Sequence, residues 1–255
     1  MISTASPSFR IAMASTEEDL RAAQRLRYEV FVEELKGGGA LVDHEARLER
    51  DRFDPFFDHM LLFDDSAGRV VGVYRLLRSD QAVKAGQFYS ADEYNLSQLT
   101  GSGRKLLELG RSCLHAAYRG GTAMYHLWMG LAEYVAEHEI EVLFGVASFH
   151  GTDIDRLAGA LSLLHHRHLA PEGLRPIALS SHARDMNILP KDQIDRRKAM
   201  RQIPALIKAY LRLGGVVGQG AYIDHAFNTT DVCLVMDTAN MNQRQVRIYA
   251  GSDAA

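Results

Sequence analysis

Apolar positions first recur at helical spacing between Thr16 and Leu35. There Leu20, Ala23, Leu26, Val30 and Phe31 fall on one side of "TEEDLRAAQRLRYEVFVEEL". Thr16 or Ser15 is placed to cap that helix, acids fill its first turn, and "KGGGA" ends it. A short strand, "FRIAMAST", precedes it. "HMLLFDD" and "GRVVGVYRLLRS" flank a turn at Gly68 and read as an antiparallel hairpin. "KLLELGRSCLHAAY" reads as a longer strand, followed by a glycine turn and the helix "TAMYHLWMGLAEYVAEHE". Met124, Leu127, Trp128, Leu131 and Val135 line one side of that helix. "EVLFGVASF" is apolar throughout, as in a strand buried on both faces. "DIDRLAGALSLLHHRHL" and "IPALIKAYLRL" are further helices, and "DVCLVMD" is a last strand. The alternation predicts one α/β domain, with elaborations around 36–58 and 165–205 and no internal repeat.

Composition narrows the function classes. With 255 residues and 47% hydrophobic content the chain can bury one large core. A formal net charge of −3 argues against a dedicated nucleic-acid binder. Cys113 and Cys233 are the only cysteines, too few for a disulfide framework, so a cytoplasmic setting is expected. "MISTASPSFR" lacks a basic segment followed by an apolar one, and no run of about 18 apolar residues occurs, so neither a leader nor a membrane span is expected. His165, His166 and His168 offer no i, i+4 ligand pair, and no metal site is expected.

Candidate chemistry concentrates in "ELGRSCLHAAYRGG", residues 108–121. On a regular strand Glu108 and Arg111 would point to opposite faces. Gly110 between them suggests a bulge that re-aims Arg111. A bulge frees a backbone N–H in the Ser112, Cys113, Leu114 stretch, a donor suited to a carbonyl oxygen that turns negative. Downstream, Arg119, Gly120, Gly121 and Thr122 sit where strand gives way to helix, a place for phosphate. A phosphopantetheine thioester has both features, a phosphate and a carbonyl. The plainer readings are an ion pair bracing the strand and a connecting turn. Cys113 as an acyl nucleophile lacks a dedicated histidine.

Strand, Arg-Gly-Gly turn, helix and "EVLFGVASF" together resemble the core of the GNAT superfamily of N-acyltransferases. More narrowly, "RYEVFVEEL", "GVYRLLRSD", "FYSADEY", "ELGRSC", "ASFHGT", "LSLLHH", "IPALIKAYLRLGG" and "AFNTTDV" are similar to the bacterial N-acyltransferases of ornithine-lipid synthesis. That family is similar in turn to the acyl-homoserine-lactone synthases. The shared features are Arg27 and Phe31, the D-x-x-D pair Asp51 and Asp54, Arg75, and the E-x-x-R of Glu108 and Arg111. The resemblance implies an α/β GNAT fold, a mixed twisted sheet of about seven strands flanked by helices. It implies a single N-acyltransferase domain over 1–255 with helical insertions, and flexible ends at 1–8 and 245–255. The implied reaction moves a (3-hydroxy)fatty acyl group from acyl carrier protein to the α-amine of ornithine, giving lyso-ornithine lipid.

On this reading Glu108, directly or through a water, is the base, with His59 and Glu93 in reserve. Arg111 pairs with Glu108 or holds the amino acid's carboxylate, for which Arg75 is the other choice. Asp54 and Asp58 are the acids nearest a cationic side chain. Asp51 and Arg27 order the acceptor loop, though acids in such a run are often only solvated. No cofactor is bound; the donor rides on the 4′-phosphopantetheine of acyl carrier protein. A weakened phosphate loop suits a carrier with one phosphodiester. An acidic carrier calls for basic docking groups, available at Arg104, Lys105, Arg119, Arg196, Arg197, Lys198 and Arg201. The cluster at 196–201 could instead contact the inner-membrane surface, with the protein peripheral there. Glutamine or another amino acid as acceptor stays open. Lactone synthesis is disfavoured because "KGGGA" lacks the tryptophan of those synthases. A non-catalytic lipid- or carrier-binding module is the alternative from another class.

Overall fold

A computed structural model describes residues 6–241; the expected flexible stretch 245–255 and residues 1–5 lie outside the described residues. In chain order the elements are β1 (Phe9–Met13), α1 (Glu17–Arg27), β2 (Asp58–Asp64), β3 (Arg69–Arg78), α2 (Ser79–Ala85), β4 (Tyr94–Asn95), α3 (Ser97–Thr100) and β5 (Leu106–Leu114). There follow α4 (Ala123–Glu137), β6 (Val142–His150), α5 (Ile154–His168), β7 (Ile177–Ala178), β8 (Ala183–Arg184), α6 (Arg196–Gln202), α7 (Ala205–Arg212), β9 (Val216–Val217), β10 (Ala221–Asp224) and β11 (Thr229–Asp237). Contacts divide the described chain into two compact units, one of 6–86 with 109–139, the other of 87–108 with 140–241.

The first unit carries strands in the order β1-β2-β3-β5. α1 starts at Thr16 with a reciprocal cap: its hydroxyl accepts from the Asp19 N–H, and the Asp19 carboxylate accepts from the Thr16 N–H. Such caps stabilise a helix by about 1 kcal/mol. The helix does not run on as an α-helix to Leu35, as the apolar spacing suggested. Tyr28–Glu34 winds as a π-helix, and Lys36 leaves it at φ 61°. The expected apolar stripe is nonetheless the packed face: Ala23, Leu26 and Val30 meet Leu61, Val70, Val73 and Cys113, with Phe31 alongside. The β2–β3 hairpin turns at Gly68 (φ 62°) and sets His59 opposite Arg75. On α4 the buried face runs through Ala123, Leu127, Gly130, Leu131 and Tyr134 as well as Trp128, rotated from the expected one. Ser8, within the expected flexible start, donates its N–H to Asp64 at 3.0 Å.

In the second unit β6 and β11 pair antiparallel over nine residues, from Val142 with Asp237 to His150 with Thr229. β10 and then β8 extend the far side, and β9 also pairs with β11. The first three residues of β5 run parallel to β6, the last matched pair being Glu108 with Phe144. Nine strands among the described residues belong to these ladders. The excess over seven comes from pairs such as β8 and β9, too short to show a period. β4 and β7 form a separate two-stranded sheet. Around this lie α5, α6 and α7. No helix among the described residues is long and apolar enough to cross a membrane.

Candidate active site

The irregular segment between α1 and β2 brings acids to buried arginines. Its course follows from local bonds: the Glu49 N–H donates to the Gln24 carbonyl of α1, and the Phe53 N–H donates to the Asp51 carboxylate at 2.9 Å. Arg27, the last residue of α1, is fully buried and donates to Glu49 and, at 2.6 Å, to Asp54. Arg75, in the middle of β3 and equally buried, donates to Asp54 at 2.6 Å and Asp51 at 2.7 Å. Its guanidinium lies 4.3 Å from the centre of the Phe57 ring. Arg111 adds a third cation, 3.1 Å from Glu49 and 3.6 Å from Asp51. Three arginines therefore face three carboxylates.

Electrostatics here is a contest between burial and pairing. Burial alone would raise the Glu49 and Asp54 carboxyls, but the guanidinium groups outweigh it. Arg111 and Arg27 lead for Glu49, and Arg27 and Arg75 for Asp54; both acids end below the usual carboxylate range. Burial likewise works to lower Arg27, and the Glu49 and Asp54 charges more than reverse it. His59, beside the network, donates its Nε2–H to the Asp54 carbonyl at 3.0 Å. Burial lowers its pKa, so it is neutral at physiological pH.

The β5 strand departs from regularity one residue later than expected, at Arg111 (φ 49°) rather than Gly110. A left-handed φ at arginine costs on the order of 1–3 kcal/mol, and its ion pairs with Glu49 and Asp51 oppose that cost. Cys113 is buried and its thiol is pushed up to about 12, first by that burial, so it is no thiolate nucleophile at neutral pH. Arg119 is held by Glu34 and by the Leu114 carbonyl (3.0 Å). Gly120 takes φ 79°, open to glycine without strain. Thr122 precedes α4, whose first turn holds no acid and takes no side-chain cap from Thr122.

Glu108, in the second unit, is 1% exposed. It accepts the Tyr89 N–H at 2.7 Å and the Ser90 N–H at 2.6 Å from the 3₁₀ turn Tyr89–Asp92. The "FYSADEY" stretch thus folds back onto the carboxylate. Glu93 lies with Asp224 and Asp231, one carboxylate oxygen of each within 4.8 Å of the others. Arg104 is engaged by Asp237 at 2.7 Å, which compensates its charge.

The structure thus brings Arg27, Asp51, Asp54, Arg75 and Arg111 into one network. Asp58 stands apart from it, accepting from Tyr134 (2.6 Å) and paired with Arg78. Glu49, Arg78 and Tyr134 escaped the sequence reading. A signal for Glu49 exists in "ERDRFD", where it stands two residues before Asp51 among aromatic residues. An acetyltransferase (GNAT) domain model matches residues 26–129, from the end of α1 into α4. The chain is 56% identical over 247 residues, 95% of each chain, to the L-ornithine N(alpha)-acyltransferase of Rhodobacter capsulatus. The chain belongs to the L-ornithine Nα-acyltransferase family. Among solved structures it is similar to FeeM, an N-acyl amino acid synthase from uncultured soil microbes. That match has a TM-score of 0.54 at 12% identity over 97% of this chain and 99% of that one. It is also similar to BjaI, a CoA-dependent acyl-homoserine lactone synthase, with TM-score 0.54 at 14% identity over 97% and 90%. These likenesses establish the GNAT-like α/β fold. The family makes this protein an N-acyltransferase.

Proposed function

We infer that this family member transfers a (3-hydroxy)fatty acyl group from acyl carrier protein to the α-amine of ornithine, giving lyso-ornithine lipid. The observation carrying this is the 56% identity across 95% of both chains to an L-ornithine N(alpha)-acyltransferase. The amine, once freed of one proton, attacks the thioester carbonyl; the C–N bond forms as the C–S bond breaks, and the departing sulfur takes the second N–H proton, so that the carrier leaves as a thiol. Glu108 takes the amine proton, directly or through a water, and its two backbone N–H bonds hold it for that task. A backbone N–H in the Ser112, Cys113, Leu114 stretch meets the oxyanion. Arg119, Gly120, Gly121, Thr122 and the start of α4 hold the phosphopantetheine phosphate.

Burial sorts the remaining residues. Arg27, Arg75 and Asp54 are at most 5% exposed and already matched to one another, so they position the site and do not touch substrate. Arg111 and Asp51 keep 14% and 18% of their side-chain surface, at the network's open edge. We assign Arg111 to the amino acid's carboxylate and Asp51 to its cationic side chain, while Asp58, engaged by Tyr134 and Arg78, is left out of the acceptor site. The test is mass spectrometry of a reaction holding 3-hydroxyacyl carrier protein and an equimolar mixture of ornithine and the twenty amino acids. A hydroxyacyl-ornithine is expected. A product on glutamine or glycine would overturn the acceptor, and product formed only from acyl-CoA would overturn the donor.

A further inference from the structure

A second concentration of charge lies in the unit of residues 87–108 and 140–241, where α5, α6, α7 and Lys191 line an open cavity of about 460 Å³, with Arg167, Lys191, Arg196 and Arg212 exposed at it. Its lining is one-sided. Arg167, His168, Lys191, Arg196, Lys208 and Arg212 are six basic groups, and the other lining residues are Leu163, Met200 and Leu211. Helical spacing makes this arrangement. Leu163 and Arg167 are four apart on α5, as are Arg196 and Met200 on α6, and Lys208, Leu211 and Arg212 share a side of α7. The five Lys and Arg groups are not compensated: among the described residues none has an ion pair with a carboxylate, and the only polar contact of Lys208 is to the Met200 carbonyl at 3.3 Å. Their mutual repulsion is felt by His168, whose pKa is lowered by burial and then by Arg167 and Arg196. Clustered like charge costs stability unless an anion is received there.

We propose that this cavity binds the phosphate-bearing headgroup of an anionic phospholipid, seating the enzyme on a negatively charged bilayer. Two features favour a lipid over an acidic protein. The cations line a concavity that admits a headgroup, where an acidic helix would have to lie across a surface. The apolar lining residues stand among the cations, suited to a glycerol backbone and the start of its chains. Leu206 and Leu211 of α7 are partly exposed, and Arg212 is exposed, so the helix offers both chemistries at the rim. The inference is independent of which amino acid is acylated.

The experiment is co-sedimentation of the full chain with vesicles of phosphatidylcholine alone and of phosphatidylcholine with phosphatidylglycerol. Arg196→Gln/Lys208→Gln is compared with Arg25→Gln/Lys84→Gln, which removes the same charge from exposed positions in the other unit. Melting curves confirm that both variants are folded. The wild type is expected to bind only the anionic vesicles. The cavity variant should bind about 25-fold more weakly, from roughly five-fold per cation, and the control nearly as the wild type. Equal loss in both variants would reduce the effect to net charge and overturn the site. So would no binding to anionic vesicles, or unchanged vesicle binding by a cavity variant that has lost affinity for soluble acyl carrier protein.

Discussion

Asp54→Asn tests the buried network most sharply, because the replacement keeps volume and shape. Asp54 is 5% exposed and takes hydrogen bonds from Arg27 (2.6 Å), Arg75 (2.6 Å) and Gln24 (2.9 Å). Removing its charge leaves three guanidinium groups facing two carboxylates. Breaking a buried pair from one side costs about 3–5 kcal/mol. For a chain of this size that corresponds to a melting temperature lower by roughly 10 °C or more. Urea denaturation followed by circular dichroism at neutral pH would read the loss directly. Arg27→Gln combined with Asp54→Asn removes the mismatch, so the double variant should lose less than the sum of the singles, with a coupling of about 1–3 kcal/mol. The pH dependence has a definite sign. Asp54 and Glu49 are depressed on folding, so their stabilisation is present above the ordinary carboxylate pKa of about 4 and fades as pH falls toward their folded values. A loss under about 1 kcal/mol in Asp54→Asn, or strict additivity in the double variant, would refute the account of the network.

Cys113 and Cys233 are both buried and both shifted up by burial, so iodoacetamide should leave the native protein unlabelled and add two groups only after unfolding. A singly labelled native mass would contradict this. Gly72→Ala would set a Cβ 2.8 Å from Leu114, 3.0 Å from Leu127 and 3.1 Å from Leu62, and should cost about 1–3 kcal/mol by overpacking in the same urea assay. Tyr134→Phe deletes a hydroxyl that donates to Asp58 and accepts from Arg78, and should cost about 1 kcal/mol while leaving the network around Asp54 intact. An unchanged urea midpoint would refute that assignment. Arg119→Ala should raise KM for the acylated carrier with little change in KM for ornithine; the reverse pattern would remove Arg119 from the donor site.

The regular elements were legible because their apolar spacing survives into the packed face, as for Ala23, Leu26 and Val30 of α1. A cap at Thr16 or Ser15 was likewise readable from residue types, while the choice of Thr16 and its reciprocal bond with Asp19 came from the structure. The π-helical turn at Tyr28–Glu34 was not, since seven residues are too few for its wider i→i+5 winding to set an apolar period of its own. Site residues divide the same way. Arg27, Asp51, Asp54, Arg75 and Arg111 were visible through a family resemblance, yet their mutual pairing depends on an irregular segment with no period to read. Glu49 was missed for that reason, and the pairing of Asp58 with Arg78 and Tyr134 was missed because it joins β2, β3 and α4, which are far apart in sequence. A carboxylate in a charged run reads as solvated until the fold places buried arginines beside it.

Glu108 as base in acyl transfer to ornithine is the central claim, and the most direct test sets wild type beside Glu108→Gln. Both would receive 3-hydroxyacyl carrier protein and ornithine, with product formation followed in single turnover and ornithine binding measured by calorimetry. The account predicts an Nα-acylated ornithine from the wild type. In the variant, the rate should be lower by about 10²–10⁴-fold, with ornithine affinity retained. Turnover of the variant at the wild-type rate, or a wild type that acylates nothing while binding ornithine, would contradict it.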